Sequence, residues 1–221
     1  MKIFSYDSKF SQIIMKIADG CILNALWFIT SLPIFTLGAS TTALYRVTLN
    51  IVDEKDGNIS QQYFKAFKEN FRQATQIWLI LLPLGLFLGL DGYILSHLRR
   101  SGNQTFDIVC TLGLALIIVA AIVYVMVFLY VFPLVASVKN TNIAMIKNSF
   151  FIAIRYLFCT ILLAAIHFAM FFVVVALFTP LIIFGEGVVA LLCSYLLINV
   201  IRACSYDPNA PKEDLSEEEE E

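Results

Sequence analysis

Charged side chains are scarce in this sequence. Only 14% of its 221 residues are Asp, Glu, Lys or Arg, and 59% are hydrophobic, with a mean hydropathy of +0.81. A soluble domain carries about 25% charged and about 45–50% apolar residues. A chain of this size has no core large enough to bury the excess, so the surplus apolar side chains must face lipid. The composition excludes an ordinary soluble domain and predicts a membrane protein.

Residues that commonly perform chemistry are also few. There are only two histidines, His97 and His167, and no G-x-S-x-G, H-E-x-x-H or phosphate-binding-loop pattern is present. The five cysteines form no C-x-x-C pair, and we expect buried thiols that pack as small hydrophobic groups. They are Cys21, Cys110, Cys159, Cys193 and Cys204. We therefore predict a protein that is not an enzyme and has no cofactor, metal or nucleic-acid partner.

One broken apolar stretch, Cys21–Val52, sets the topology of the chain. It is interrupted by Pro33 and Gly38, and it can be read as a single crossing or as a hairpin that turns at the break. The single crossing divides the 15 basic residues ten to five between the two sides. The hairpin divides them thirteen to two, which agrees better with the excess of Lys and Arg in cytoplasmic loops.

The charge count favours the hairpin, with both chain ends in the cytoplasm. Its second arm, Ala39–Val52, has 14 residues and would be only about 21 Å long. That is too short to cross a bilayer core of about 30 Å, so we expect a half-helix shielded by neighbouring helices. Residues 1–20 have helical apolar spacing and predict an amphipathic helix leading into the stretch, with a cleaved signal peptide as the competing reading.

The remaining apolar runs predict four further spans, giving an all-α polytopic transmembrane helical bundle of about five spans plus the broken half-helix. They are Gln76–Leu95, Asp107–Val135, Leu157–Phe184 and Val188–Ile201. Two Phe-rich amphipathic segments, residues 60–72 and Asn148–Tyr156, predict interfacial helices, and their similar spacing forms a weak internal repeat. Gly185–Gly187 predicts a tight turn with a solvated Glu186. Residues 1–206 form one transmembrane domain, and residues 207–221 read as a disordered acidic tail with eight of the 17 acidic residues.

Polar side chains at membrane depth are the candidate site residues, because burying them in lipid is costly. Most gather at the break, where they either satisfy backbone groups and pack helices closely or hold a polar ligand. The set comprises Asn24, Thr36, Gly38, Ser40, Thr41 and Thr42, with Asp91 near the end of a span and His167 deep in another. We expect Asp91 to be hydrated and His167 to bond a neighbouring helix. Lys68, Arg72 and Arg155 are candidate interfacial basic anchors.

The break and the segment after it resemble the start of the YesL-like family of bacterial membrane proteins, over roughly residues 10–90. The similar residues are Asn24, Trp27, Leu32-Pro33, Thr36-x-Gly38-Ala39-Ser40, Ala43-Leu44-Tyr45 and Phe64-x-x-Phe67-Lys68-x-Asn70-Phe71. The resemblance implies a plasma-membrane protein of the Gram-positive type, in a family often encoded beside carbohydrate ABC-transporter genes. It implies no activity and no catalytic residues.

The predicted function is a non-enzymatic accessory or regulatory component associated with carbohydrate uptake. Its partners would be the lipid bilayer and either a carbohydrate ABC-transporter permease or further copies of the chain. The alternative is a small transporter or channel with a polar site at the broken helix. We expect a multi-pass plasma-membrane protein with a cytoplasmic C-terminus.

Overall fold

The fold is all-α, as predicted. A computed structural model describes residues 9–55, 57–99, 104–176 and 182–205, which form seven α-helices and one short 3-10 helix. The α-helices are α1 (Lys9–Ser31), α2 (Leu37–Val52), α3 (Ile59–Leu98), α4 (Gln104–Ser137), α5 (Asn142–Arg155), α6 (Leu157–Ala176) and α7 (Ile182–Ser205). The 3-10 helix, Ile34–Thr36, joins α1 to α2. The predicted acidic tail and the first eight residues lie outside the described residues.

Four of the described helices, α3, α4, α6 and α7, are long and apolar enough to cross a membrane. They correspond to the four spans predicted after the break, and they confirm a multi-pass membrane protein. With 40 residues, α3 is about 60 Å long, roughly twice the thickness of a bilayer core. With 16 residues, α2 is about 24 Å long, which is too short to cross.

The chain turns back at the break. The Trp27 indole Nε1 donates a hydrogen bond of 3.1 Å to the Thr41 hydroxyl, although the two residues are 14 positions apart. In one straight helix they would lie about 21 Å apart along the axis, so α1 and α2 must run side by side. Pro33 cannot continue the α-helical bonding of α1, and the turn follows directly. The hairpin reading of Cys21–Val52 therefore describes the fold, with exposed Ile34 and Phe35 at its tip.

Several predicted boundaries were wrong. The amphipathic segment 60–72 and the span that follows are one continuous helix, α3, which is capped by Asn58. The predicted span Leu157–Phe184 is divided between two of the described helices, because α6 covers Leu157–Ala176 and Phe184 belongs to α7. Gly185–Gly187 is not a tight turn, because α7 runs straight through it.

The buried core lies at one end of the long α3–α4 pair. It contains α2, α7, the first half of α3 and the last part of α4, with contributions from α1, α5 and α6. Within the described residues, nothing from 83–98 of α3 or from 104–123 of α4 belongs to it. Those two segments pack on each other and expose their apolar side chains, as in Phe87 and Leu116. They form an α3–α4 extension whose surface suits lipid.

Candidate functional site

The polar groups at the break satisfy the backbone that the break leaves unpaired. The Thr36 hydroxyl lies 2.6 Å from the carbonyl oxygens of both Thr30 and Pro33. The Trp78 indole Nε1 donates a hydrogen bond of 2.7 Å to the Ile34 carbonyl. A broken helix in an apolar environment needs such partners, since an unpaired backbone group there costs several kcal/mol. These side chains therefore provide the hydrogen-bond partners that the backbone carbonyls at the break need.

The other candidates on α1 and α2 are also occupied within the chain. The hydroxyls of Ser40 and Thr42 donate to the carbonyls of Thr36 and Gly38, four residues earlier, at 3.1 and 2.8 Å. Asn24 is fully buried, and its side-chain oxygen accepts a hydrogen bond of 2.8 Å from the Gly187 amide of α7. Ser40 and Thr42 therefore bond to the backbone of their own helix, and Asn24 joins α1 to α7.

Gly38 is the point of closest approach between α2 and its neighbours. A Cβ atom at this position would lie 2.6 Å from the Ala74 carbonyl oxygen, 2.7 Å from the Trp78 Cβ and 3.0 Å from the Phe132 ring. Only glycine allows the backbones of α2 and α3 to come this close. Of the two readings of this stretch, the geometry agrees with close helix packing.

A pair of ionisable side chains faces a cavity between α6 and α7. His167 and Glu186 line this cavity of about 160 Å³ together with Met170, Phe171 and Val174. The His167 Nδ1 lies 2.9 Å from the Leu163 carbonyl, which can only accept, so Nδ1 carries a proton. In a neutral ring the lone pair is then on Nε2.

Sequence reasoning missed this pairing, because it treated Glu186 as a solvated turn residue. Glu186 is half-buried inside a helix, and it interacts electrostatically with His167. The His167 Nδ1 contacts the Leu163 carbonyl on its own helix, and it also contacts a neighbouring helix, as expected, through the Cys193 Sγ of α7 at 3.9 Å. Small residues at helical spacing, Gly187, Ala190 and Ser194, would have indicated that α7 begins before Val188.

The remaining candidates stay separate from these groups. Asp91 is half-buried on the α3–α4 extension, and it forms no ion pair among the described residues. Lys68 and Arg72 are exposed on the first half of α3, and Arg155 is exposed at the end of α5, over the Tyr156 ring. Cys110 and Cys193 are buried, whereas Cys204 is exposed, contrary to expectation. Across the described ranges, no group of three or more His, Cys, Asp or Glu side chains could hold a metal ion.

Comparison with known proteins finds relatives without an assigned activity. Residues 21–92 match the family described as "Protein of unknown function, DUF624". The chain is 25% identical over 195 residues to the uncharacterized protein YesL of Bacillus subtilis (strain 168), covering 86% of this chain and 88% of that protein. No solved structure matches. The two matches confirm the resemblance to the YesL-like family, whose function is unknown; the similarity to YesL extends over most of the chain, and the family match covers residues 21–92.

Proposed function

We propose that this protein is a non-enzymatic accessory or regulatory component that acts by binding another membrane protein. One observation carries the proposal: the polar groups at the break, the most plausible place for a solute, are hydrogen-bonded within the chain. Asn24, Ser40 and Thr42 have no exposed surface. A solute would have to displace these bonds, and each is costly to lose in an apolar environment.

The outer face of α6 is the surface that we propose for the partner. Phe158, Phe168 and Phe172 are 77%, 71% and 59% exposed, and Phe168 and Phe172 are one helical turn apart. Aromatic side chains are enriched at protein interfaces, where they bring large contact area at low entropic cost. The short helix α6 contributes few residues to the core, so most of its surface is available to a second helix.

The partner class that we propose is a carbohydrate ABC-transporter permease, and assembly with further copies of this chain alone would count against the accessory role. This choice rests on the resemblance to a family often encoded beside such transporter genes. No residue of this chain identifies a sugar. The plasma membrane is the proposed location, because permeases of this class function there.

Affinity capture from native membranes tests the accessory role. The full chain is tagged at its C-terminus, captured in mild detergent and examined by mass spectrometry. We expect a permease in the wild-type sample, less of it with Phe168→Ala plus Phe172→Ala, and an unchanged amount with Phe87→Ala on the α3–α4 extension. A homo-oligomer without another partner would contradict the proposal.

A small transporter is the second candidate, and the cavity with His167 and Glu186 is the observation that favours it. Ionisable side chains facing one another inside membrane helices often mark ion or proton pathways. Proteoliposomes loaded with a pH-sensitive dye provide the test. Proton entry that Glu186→Gln abolishes would favour transport over the accessory role, whereas a rate equal to that of empty liposomes would count against transport.

A further inference from the structure

A polar pocket lies where the C-terminal ends of three helices meet, far along the chain from the break. The ends of α2, α4 and α7 enclose it, with a volume of about 180 Å³. A water molecule takes about 30 Å³ in the liquid, so the space is that of a group of several heavy atoms. The polar lining residues are Arg46, Asn50, Asp53, Lys55, Ser137 and Arg202.

Helical spacing brings these side chains to one place. Arg46 and Asn50 are four residues apart on α2, and Asp53 follows three residues later at its C-terminus. Residues at this spacing lie on the same face of a helix. Ser137 is the last residue of α4, and Arg202 lies in the last turn of α7.

Positive charge exceeds negative charge in this pocket. Among the lining residues that the structure describes, Asp53 is the one carboxylate, against three cations. Lys55 approaches Asp53 to 2.6 Å, and Arg202 forms an ion pair with the same carboxylate. Arg46 donates its hydrogen bond, of 2.8 Å, to the carbonyl of Ala136, which is a neutral group. The described side chains of the lining therefore carry a formal charge of +2, which the partial negative charge at the C-terminal ends of the three helices offsets in part.

The two arginines also have hydrogen-bond donors to spare. A guanidinium group carries five N–H donors in a planar fork. In the described structure, Arg46 uses one nitrogen on Ala136 and Arg202 uses one on Asp53. The Asn50 amide already donates to Gln62 at 2.9 Å, so the arginines and Lys55 are the main donors to a ligand. Forked donors of this kind match the oxygens of a phosphate group, often two at a time.

The wall of the pocket is apolar on one side. Leu49, Ile198 and Ile201 line it beside the cations, and the two isoleucines belong to the membrane-spanning helix α7. Basic pockets between transmembrane helices bind the head groups of anionic lipids. The apolar wall gives the chains of such a lipid a path away from the phosphate.

We propose that this pocket is a binding site for a phosphate group, carried either by an anionic phospholipid or by a soluble phosphate ester. Arg46, Lys55 and Arg202 bind the phosphate oxygens. Asp53 holds Lys55 and Arg202 in place through its two ion pairs. The site is independent of the proposed partner surface on α6.

The test uses the purified full chain in a neutral detergent, with native mass spectrometry and the melting temperature as readouts. The probes are phosphatidylglycerol and, in separate samples, inorganic phosphate. We expect the wild type to retain phosphatidylglycerol and to be stabilised by it. Arg46→Gln and Lys55→Gln should each weaken the binding about tenfold or more, since each removes charged hydrogen bonds.

Matched variants separate this site from general surface charge. Lys55 is 65% exposed, so Lys55→Gln should fold normally even if Arg46→Gln does not. Lys147→Gln removes one exposed charge on α5, a helix that contributes no residue to the lining of the pocket, and should bind like the wild type. Stabilisation by inorganic phosphate would support a soluble ester as the ligand, and stabilisation by the lipid but not by the ion would support a head group. Equal binding by wild type and Lys55→Gln, or an equal loss in Lys147→Gln, would overturn the proposal.

Discussion

Glycines in the helices of this protein have opposite roles, and Gly38 and Gly89 illustrate them. At Gly38, a methyl group would meet the Ala74 carbonyl and the Trp78 Cβ at less than 3 Å. At Gly89, on the α3–α4 extension, it would meet no atom within 4 Å. Both positions are helical, so alanine brings a similar gain in helix propensity at each. The difference between the two substitutions therefore measures packing.

We expect Gly38→Ala to destabilise the fold by about 1–3 kcal/mol, because the backbone of α3 cannot move away from a new methyl group. Gly89→Ala should leave the stability unchanged or raise it by up to about 1 kcal/mol. Thermal unfolding in detergent, followed by circular dichroism, measures both. If Gly38→Ala were as stable as Gly89→Ala, the close approach of α2 and α3 would be wrong.

Asp53 should make the stability depend on pH in the acid range. Hydrogen bonds from Lys55 and Arg202 lower the pKa of this carboxyl below its ordinary value of 3.8. A lowered folded-state pKa contributes stability that is present above pH 3.8 and is lost as the pH falls through the folded-state value. Asp53→Asn should thus be less stable than the wild type at pH 7, and the difference should shrink below about pH 4.

Melting temperatures of the two proteins between pH 3 and pH 7 check this prediction. Glu54→Gln is the matched control, because Glu54 is exposed and forms no ion pair in the part of the chain that the structure describes. A difference between wild type and Asp53→Asn that stayed constant over the whole range would show that the ion pairs do not contribute.

At the scale of the elements, the contact between α1 and α7 depends on Gly187. A Cβ atom there would overlap the Gly20 carbonyl oxygen and would lie 2.9 Å from the Asn24 Cβ. We expect Gly187→Ala to separate the two helices, to break the bond from the Gly187 amide to Asn24 and to cost about 1–3 kcal/mol. Gly92→Ala is the control, since its nearest atom would be the Ile117 Cγ2 at an ordinary 3.7 Å. Equal unfolding temperatures for the two variants would argue against this crossing.

The predicted internal repeat gives two different structures. After Phe67, Phe71 and Arg72, the helix continues without interruption as α3. After the corresponding residues of the second copy, the chain breaks at Tyr156, and α6 begins. The Thr160 hydroxyl donates a hydrogen bond of 2.7 Å to the Ala153 carbonyl, and it also lies 3.0 Å from the Tyr130 hydroxyl. A contact with α4, which periodicity does not encode, stabilises the break.

At the scale of the whole molecule, the hairpin predicts which ends of the chain share a side of the membrane. Because α1 and α2 run side by side, the start of α1 and the end of α2, both away from the turn at Pro33, lie on the same side of the membrane. Helix α3 begins on that side and crosses the membrane once. Cysteines placed at Lys9 and Gln61 should therefore react from the same side. A cysteine at Arg99, at the far end of α3, should react from the opposite side.

A membrane-impermeant thiol reagent applied to intact cells tests this topology, in a background in which the exposed Cys204 is changed to Ser. We expect labelling at Arg99 only, since the charge count places the other two positions in the cytoplasm. Labelling of Lys9 and Gln61 from opposite sides would contradict the hairpin as a membrane topology.

The sequence by itself determined the class of protein and most of its helices. Apolar runs of span length and the scarcity of charge are properties of local sequence, and a helix that crosses a lipid bilayer requires both. Pro33 and Gly38 together located the break, because proline removes one hydrogen bond of a helix and glycine weakens it. Proline alone would not have done so, since Pro83 and Pro133 lie inside the continuous helices α3 and α4. The charge count then favoured the hairpin over a single crossing, from composition only.

Only the tertiary structure decided what the polar residues do. Whether Thr36 and Asn24 face a ligand or a neighbouring helix depends on partners such as Thr30 and Gly187, up to 163 positions away. The two pockets arise in the same way, since Glu186 meets His167 and Arg202 meets Asp53 across different helices. Helix period tells which residues share a face, but packing between helices determines which faces meet. That step brings the ionisable groups of this protein together.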